Sequence, residues 1–348
     1  MCGIAGFVND MPIDVKCPVL QRMTDMIAHR GPDSEGHYID EHAALGHRRL
    51  SIIDLGGGQQ PIYNEDGSKV ITFNGEIYNY QTLREELIAA GHTFTTKSDT
   101  EVLLHGYEQW GVDLLQRVRG MFTFVIWDKN KQELFGARDH FGIKPFYYAK
   151  MNGTFMYASE IKSLLRHPDF VKELNAEALK PYMTFQYPAI GETFFKGVYK
   201  LPEGHYFTYR DGKMDIHRYY DEDFREGKQK LGELVNSIDQ TVCDSVKAHQ
   251  IADVEVGSFL SSGVDSSYVA AVARPQHTYS IGFGKGTYNE SQQAGELAEL
   301  LKLNNTAESL TDEEAFAAFP RIQWHLDEPD SNPCLLYTSD AADDRISV

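Results

Sequence analysis

The run Met1-Cys2-Gly3-Ile4-Ala5-Gly6-Phe7 decides how the rest of the chain is read. Removal of the initiator methionine, which a small second residue permits, leaves Cys2 with a thiol and a free α-amine on one residue. Unperturbed, the two titrate close together, at about 8.5 and about 7.7–8.0. The amine can take the thiol proton directly or through one water, so the nucleophile carries its own general base. The following Gly-Ile-Ala-Gly-Phe-Val reads as a short buried strand whose two glycines admit close approach of neighbouring backbone. A strand holds a nucleophile still. The competing reading is a small apolar residue at a frayed end, and residues further along have to decide.

An acyl-transfer cysteine needs donors for a developing oxyanion. Asn74-Gly75 offers a side-chain amide and a backbone N–H, expected at the end of a strand over Val70–Phe73. Glu76 and Asp99 suit an ammonium group, and Arg49 suits a carboxylate held through two parallel hydrogen bonds. Singly, Asn-Gly is a turn, Arg49 a surface charge and Asp99 a helix cap. Together they outline a pocket for an amino acid.

Around these residues the pattern alternates between short strands and a few helices. Val19, Met23, Met26 and Ile27 share a helical face. Ala43–Asp54 reads as a strand closed by Gly56-Gly57-Gly58. Leu83, Leu87 and Ile88 mark a helix stopped by Gly91, and Asp99 opens another. The runs MFTFVIWD, ELFGARD, PFYYAK and FMYASE are strands, which together suggest stacked sheets covered by helices. The charged stretch Asp221–Lys230 has little to bury and reads as a linker. Beyond it, Leu231, Leu234, Val235, Ile238, Val242 and Val246 form an amphipathic helix. A strand over Val254–Leu260, the loop SSGVDSS, a small-residue helix, a strand over Thr278–Phe283 and a helix over Asn289–Leu303 follow as a parallel α/β unit. Hydroxyls and N–H groups at a helix start form an anion cradle, and Asp265 could hold magnesium against phosphate oxygens. No GK[ST] is present, so this is not the common nucleotide loop.

The 348 residues suffice for two domains. A formal charge of −18, from 33 basic and 51 acidic residues, argues against a general nucleic-acid surface. Four cysteines are too sparse for a disulfide framework and have no zinc-like spacing, and His29, His47, His105 and His140 read as core or surface residues. With no secretory signal and no membrane-length apolar run, the expected location is cytoplasmic.

The ordered blocks MCGIAGF, HRGPDSEG, LGHRRLSIIDL, FNGEIYNY, KSDTEVLLHGYE, RGMFTFVIWD, ARDHFGIKPFYY and ASEIKSLL, then FLSSGVDSS, YSIGF and LDEPDSNP, resemble the glutamine-hydrolysing asparagine synthetases. The resemblance implies a class II glutamine amidotransferase domain over 1–220, an N-terminal-nucleophile αββα sandwich of the α+β class. A linker over 221–230 would lead to a partial asparagine synthase domain over 231–333, a parallel α/β domain of the pyrophosphate-loop ATPase type. In the first of these domains Cys2 would attack the glutamine amide, Asn74 and Gly75 would form the oxyanion hole, and Arg49, Ile53, Glu76 and Asp99 would hold the amino-acid end. The ammonia would travel through an internal tunnel. ATP, with Mg2+ as cofactor at Asp265, would activate aspartate as β-aspartyl-AMP, and ammonia would convert it to asparagine. Leu260, Ser261, Gly263, Asp265, Ser266 and Ile281 would bind the ATP, and a homodimer is the assembly to test.

Two departures stand out. Ser262 replaces a glycine of the family's SGGxDS loop. After LDEPDSNP the resemblance stops, and the tail over 334–348, with Asp340, Asp343 and Asp344, reads as a truncated or chimeric end. The synthetase half is therefore expected to be incomplete. The rival readings are an amidotransferase acting on another carboxylate acceptor, and a non-catalytic assembly subunit. An intact Cys2 counts against a β-lactam synthetase, which uses no glutamine nitrogen.

Overall fold

The structure, a computed structural model, describes residues 1–283 and 290–329. The tail over 334–348, Cys334 and Asn289 lie outside the described residues. The chain divides into two compact units, the first made of Met1–Glu222 together with 327–329.

The first unit opens with β1 (Gly3–Val8), α1 (Ile13–Asp25), β2 (Ser34–Ile39), β3 (Ala43–Arg49), β4 (Ile62–Tyr63) and β5 (Lys69–Ile77). Next come α2 (Tyr80–Ala89), α3 (Asp99–Trp110), β6 (Gly120–Asp128), β7 (Glu133–Arg138), β8 (Tyr147–Met151), β9 (Thr154–Ala158) and α4 (Ile161–Leu164). It closes with α5 (Leu179–Phe185), β10 (Val198–Lys200), β11 (His205–Arg210) and β12 (Lys213–Arg218). The strands form two six-stranded sheets, β10-β8-β9-β1-β3-β2 and β12-β11-β7-β6-β5-β4. Their pairings are antiparallel.

Period-2 alternation assigns each strand residue to a layer. Ile4 and Leu45 from one sheet meet Val125, Trp127 and Leu134 from the other in a core between the sheets. Their strand neighbours Ala5, Phe7 and Ala44 face outward onto Val19, Leu20 and Met23 of α1 and Leu164 of α4. On the opposite outer face Phe122, Phe124 and Ile126 pack against Leu83 and Leu87 of α2 and Leu103 and Tyr107 of α3. These three cores between four layers are the αββα sandwich. Each fully buried Leu, Val or Phe contributes about 1.5–3 kcal/mol. Trp127, the largest of the buried side chains, keeps its indole N–H satisfied by Asp40 Oδ2 at 2.7 Å.

Glycines permit the closest strand contacts. A Cβ on Gly75 would lie 2.2 Å from Met121 O, and one on Gly120 would lie 2.2 Å from Glu76 O. At these two positions of the β5–β6 seam only glycine fits.

The sequence reading needs several corrections. Asn74, Gly75 and Glu76 do not follow a strand ending at Phe73; they lie inside β5, which pairs with β6 as far as Ile77. The strand expected over Ala43–Asp54 stops at Arg49, where the chain turns to follow the Arg49 side chain. Ile88 points to solvent, because its helix buries only Leu83 and Leu87.

No helix or strand is present from Tyr219 to Lys230. The second unit contains α6 (Leu231–His249), β13 (Ser258–Phe259), α7 (Val264–Ala273), β14 (His277–Phe283), α8 (Ser291–Leu301), β15 (Asn304–Leu310) and α9 (Asp312–Leu326). The three strands are parallel, in the order β13-β14-β15. The strand expected over Val254–Leu260 shrinks to two residues, since only Ser258 and Phe259 pair with β14. Its small core gathers Leu260, Ala270, Ala294 and Ala298. The helix α6 forms as expected, but its apolar stripe is open: Leu231 is 77% exposed and Val235 54%. Among the described residues, no helix is long and apolar enough to cross a membrane.

Candidate active site

Cys2 stands immediately before β1, the strand flanked by β3 and β9. Its Sγ lies 3.4 Å from the Leu50 N–H and 3.5 Å from Leu50 O, so the turn after β3 holds the sulfur. Burial pushes the thiol up. The Leu50 N–H, the Met1 amine, Lys144 and Arg49 pull it back without cancelling that effect. With Met1 in place the α-amine sits one residue before the thiol.

Arg49 ends β3 with its side chain buried, and Nη2 donates to Ile53 O at 3.1 Å and Asp54 O at 2.7 Å. Ile53 thus meets Arg49 through its carbonyl. A Cβ on Gly58 would come within 2.7 Å of Nη2, so the glycine run makes room for the guanidinium.

Two side chains fix the strand just before Asn74. Gln60 accepts the Phe73 N–H at 2.7 Å and donates back to Phe73 O at 3.2 Å, imitating a neighbouring strand. His47, paired across the sheet with Ile4 of β1, donates Nε2–H to the same carbonyl at 2.9 Å. Burial drops the His47 pKa to about 3, so the ring is neutral at physiological pH. Asn74 itself is 1% exposed, and its Nδ2 has no hydrogen-bond partner. A buried amide donor without an acceptor costs about 1–3 kcal/mol. Such a group is a donor available to a bound molecule.

Asp99 is the first residue of α3, and the cap is Ser98, whose Oγ accepts the Thr100 N–H at 3.1 Å. Asp99 Oδ2 accepts the Ile77 N–H at 3.0 Å, tying α3 to the end of β5. Burial raises Asp99 to about 6 despite that bond. Glu76 is also raised, chiefly by burial and further by Asp99, while Lys144 and the Met1 amine oppose the shift. Lys144 is lowered by burial and raised by Glu76 and Cys2. Lys144 thus lies within electrostatic reach of both Glu76 and Cys2, Asp99 within reach of Glu76, and Arg49 within reach of Cys2.

In the second unit Leu260 is buried, with its N–H on Tyr279 O at 2.8 Å and its carbonyl on Ser280 Oγ at 2.8 Å. The following loop is open to solvent. Ser261 Oγ and Ser266 Oγ are 2.8 Å apart, and the Gly263 N–H donates to Ser261 Oγ at 3.2 Å. Gly263 caps α7, Asp265 lies exposed in its first turn, and Ile281 is in β14.

A family model described as a glutamine amidotransferase domain matches residues 1–220, and one described as asparagine synthase matches 237–348. The putative glutamine-hydrolyzing asparagine synthetase 2 of Methanocaldococcus jannaschii is 32% identical over 358 residues, covering 94% of this chain and 68% of its own. The chain belongs to the glutamine-hydrolysing asparagine synthetase family. Among other asparagine synthetases, number 1 of Bacillus subtilis is 42% identical over 344 residues, 97% of this chain and 54% of that protein. Number 3 of the same organism is 36% identical over 299 residues, 81% and 48%. The chain spans about half the length of these Bacillus relatives. The asparagine synthase match continues through 334–348, the segment set apart above as a tail.

Sequence reasoning missed several charged groups around Cys2. Lys144 is buried inside the GIKP run, where its N–H binds Asp139 Oδ2 at 2.9 Å and its Nζ lies 2.9 Å from Met1 Sδ. Arg30 donates Nε–H to Cys2 O at 3.0 Å and pairs with buried Glu160 at 2.9 Å. His29 and Lys162 share that carboxylate, and Lys162 also meets Asp327 at 3.0 Å. The signal available was the charge of Arg30 and Lys144 inside otherwise apolar or Gly-Pro blocks.

Proposed function

We propose that the first unit hydrolyses glutamine to glutamate and ammonia at Cys2, after removal of Met1 has exposed the Cys2 amine. The thiolate attacks the side-chain amide carbon, and the oxyanion takes hydrogen bonds from Asn74 Nδ2 and the Gly75 N–H. Collapse breaks the C–N bond, the leaving nitrogen takes the proton held by the α-amine, and ammonia departs. Water then cleaves the thioester, releasing glutamate and restoring the thiol. Glu76 and Asp99 hold the glutamine ammonium, and Arg49 with Ile53 holds its carboxylate. The observation that carries this reading is the buried, unpartnered Asn74 amide in the strand that also bears Glu76.

In the same reading the ammonia amidates ATP-activated aspartate to asparagine, releasing AMP and pyrophosphate. Leu260, Ser261, Gly263, Ser266 and Ile281 would contact the nucleotide. Asp265 offers an exposed oxygen ligand beside backbone and hydroxyl groups, an all-oxygen set that fits Mg2+. When bound, that ion would neutralise phosphate charge. The domain limits proposed are 1–220 for the glutaminase and 231–333 for the synthase segment, in a cytoplasmic homodimer.

Glutamate and asparagine measured in one reaction, with and without ATP, magnesium and aspartate, test both halves. Glutamate formed by the unaltered chain and not by a folded Cys2→Ala variant supports the nucleophile, and glutamate from that variant refutes it. Asparagine requiring ATP and aspartate supports the second half. Glutamate without asparagine confines this chain's activity to the first unit.

A further inference from the structure

A second set of ligating side chains lies in the first unit and has no part in the chemistry above. Glu65 follows β4, His92 lies between α2 and α3, and His105 and Glu108 stand one turn apart on α3. One ligand atom from each lies within 4.8 Å of all the others. His92 Nδ1 is 3.1 Å from Glu65 Oε1, and His105 Nδ1 is 3.3 Å from Glu65 Oε2 and 3.1 Å from Glu108 Oε2. In a tetrahedral site with bonds of about 2.0 Å, neighbouring ligand atoms are about 3.3 Å apart. These three contacts are close to that spacing, and the full set of four, within 4.8 Å, needs only a small contraction around an ion.

The ring orientations agree. Both imidazoles turn Nδ1 toward the shared Glu65 and Nε2 outward, His92 to Gln109 Oε1 at 3.3 Å and His105 to Glu101 Oε1 at 3.5 Å. In metal-bound histidines the second ring nitrogen commonly meets an outer acceptor that fixes the tautomer; His92 makes that hydrogen bond, and His105 Nε2 faces the Glu101 carboxylate at ion-pair distance. That outer carboxylate is itself held in place. Glu101 accepts the N–H and hydroxyl groups of Thr95 and Thr96 at 2.6–3.0 Å. Glu108 Oε1 is taken by Asn64 Nδ2 at 2.7 Å, with Lys69 at 3.4 Å, which leaves Oε2 facing His105. Three carboxylates therefore surround a histidine that is 1% exposed, with Lys69 as the one lysine or arginine paired to them among the described residues. A cavity of about 420 Å³ lined in part by Glu65, Glu101, Thr93 and Thr95 borders the cluster at Glu65.

We propose that Glu65, His92, His105 and Glu108 form a binding site for a divalent transition-metal ion, with Zn2+ as the best match to two imidazoles and two carboxylates. The ion would tie the β4 turn and the α2–α3 connection to α3, the helix that carries Asp99 at its start. Its role is structural.

The test uses the untagged full chain, stripped with a chelator and titrated with Zn2+. Roughly one equivalent retained through gel filtration, together with a raised unfolding temperature, is the expected result. Co2+ at the same site gives the intense visible bands of a four-coordinate ion. His105 is buried and its removal could prevent folding, so the deciding variants are His92→Ala and Glu65→Gln. Each weakens Zn2+ binding by at least about tenfold, and the rise in unfolding temperature with Zn2+ is read against that variant's own metal-free value. No retained Zn2+ in the unaltered chain, or variants that retain Zn2+ as well as the unaltered chain does, overturns the proposal.

Discussion

Replacing Asn74 with leucine should move activity and stability in opposite directions. Asn74 Nδ2 is buried without an acceptor, so the folded protein bears a desolvation cost of about 1–3 kcal/mol that a near-isosteric apolar side chain does not. In the transition state the same amide meets a developing oxyanion, where loss of one such donor costs about 2.7–4 kcal/mol, or roughly 10²–10³ in kcat. Asn74→Leu should therefore lower kcat for glutamate release by two to three orders of magnitude with little change in KM. Its urea midpoint should stay the same or rise by the equivalent of about 1–3 kcal/mol. The two measurements are independent. A variant within about threefold of full activity would remove Asn74 from the chemistry. A loss of stability would show that the amide is a structural tie, and the argument from its unpaired state would fail.

Three other perturbations follow from the site. Lys144→Met takes a positive charge from beside Cys2, so thiol alkylation by iodoacetamide should need a higher pH; an unmoved profile would disconnect the two groups. Glu160 is raised by burial but drawn down further by His29, Arg30 and Lys162, to about 2 from 4.5. Its contribution, about 3 kcal/mol, is complete above pH 4.5 and lost as pH falls toward 2. Glu160→Gln should destabilise the chain by about 3–5 kcal/mol at pH 7 and by progressively less at pH 4 and below, in urea titrations; a penalty independent of pH would contradict the pairing. Gly75→Ala should cost about 2–3 kcal/mol or more, since its Cβ meets backbone, and an unchanged midpoint would mean that β5 and β6 can separate there.

Much of the sandwich was legible because strand alternation survives in runs such as MFTFVIWD, where successive residues serve two cores. The nucleophile and its amino-acid pocket were legible as residue types. Their strand context was not: Asn-Gly signals a turn locally, and only pairing with β6 keeps those residues extended through Ile77. Lys144 and Glu160 escaped notice because a buried charge is recognisable only by its partners, which lie far along the chain. The same holds for Glu65, His92, His105 and Glu108, whose separations match no metal motif. The strand expected over Val254–Leu260 was overcalled from apolar content, for only two residues there find a partner.

The two glycines at the seam of β5 and β6, Gly75 and Gly120, have a consequence for the genetics of this protein. Any change in the first two bases of a glycine codon adds a side chain or stops translation. At Gly75 and Gly120 the nearest atoms such a side chain would meet are Met121 O and Glu76 O. Carbonyl oxygens are common to every residue, so no second-site replacement can trim them away. At Gly136 the nearest obstacle is the Phe207 ring, which a smaller residue would remove. A saturation library should thus yield suppressors for Gly136 and none for the other two. Those two codons are closed to drift, alone or in combination, by the backbone itself.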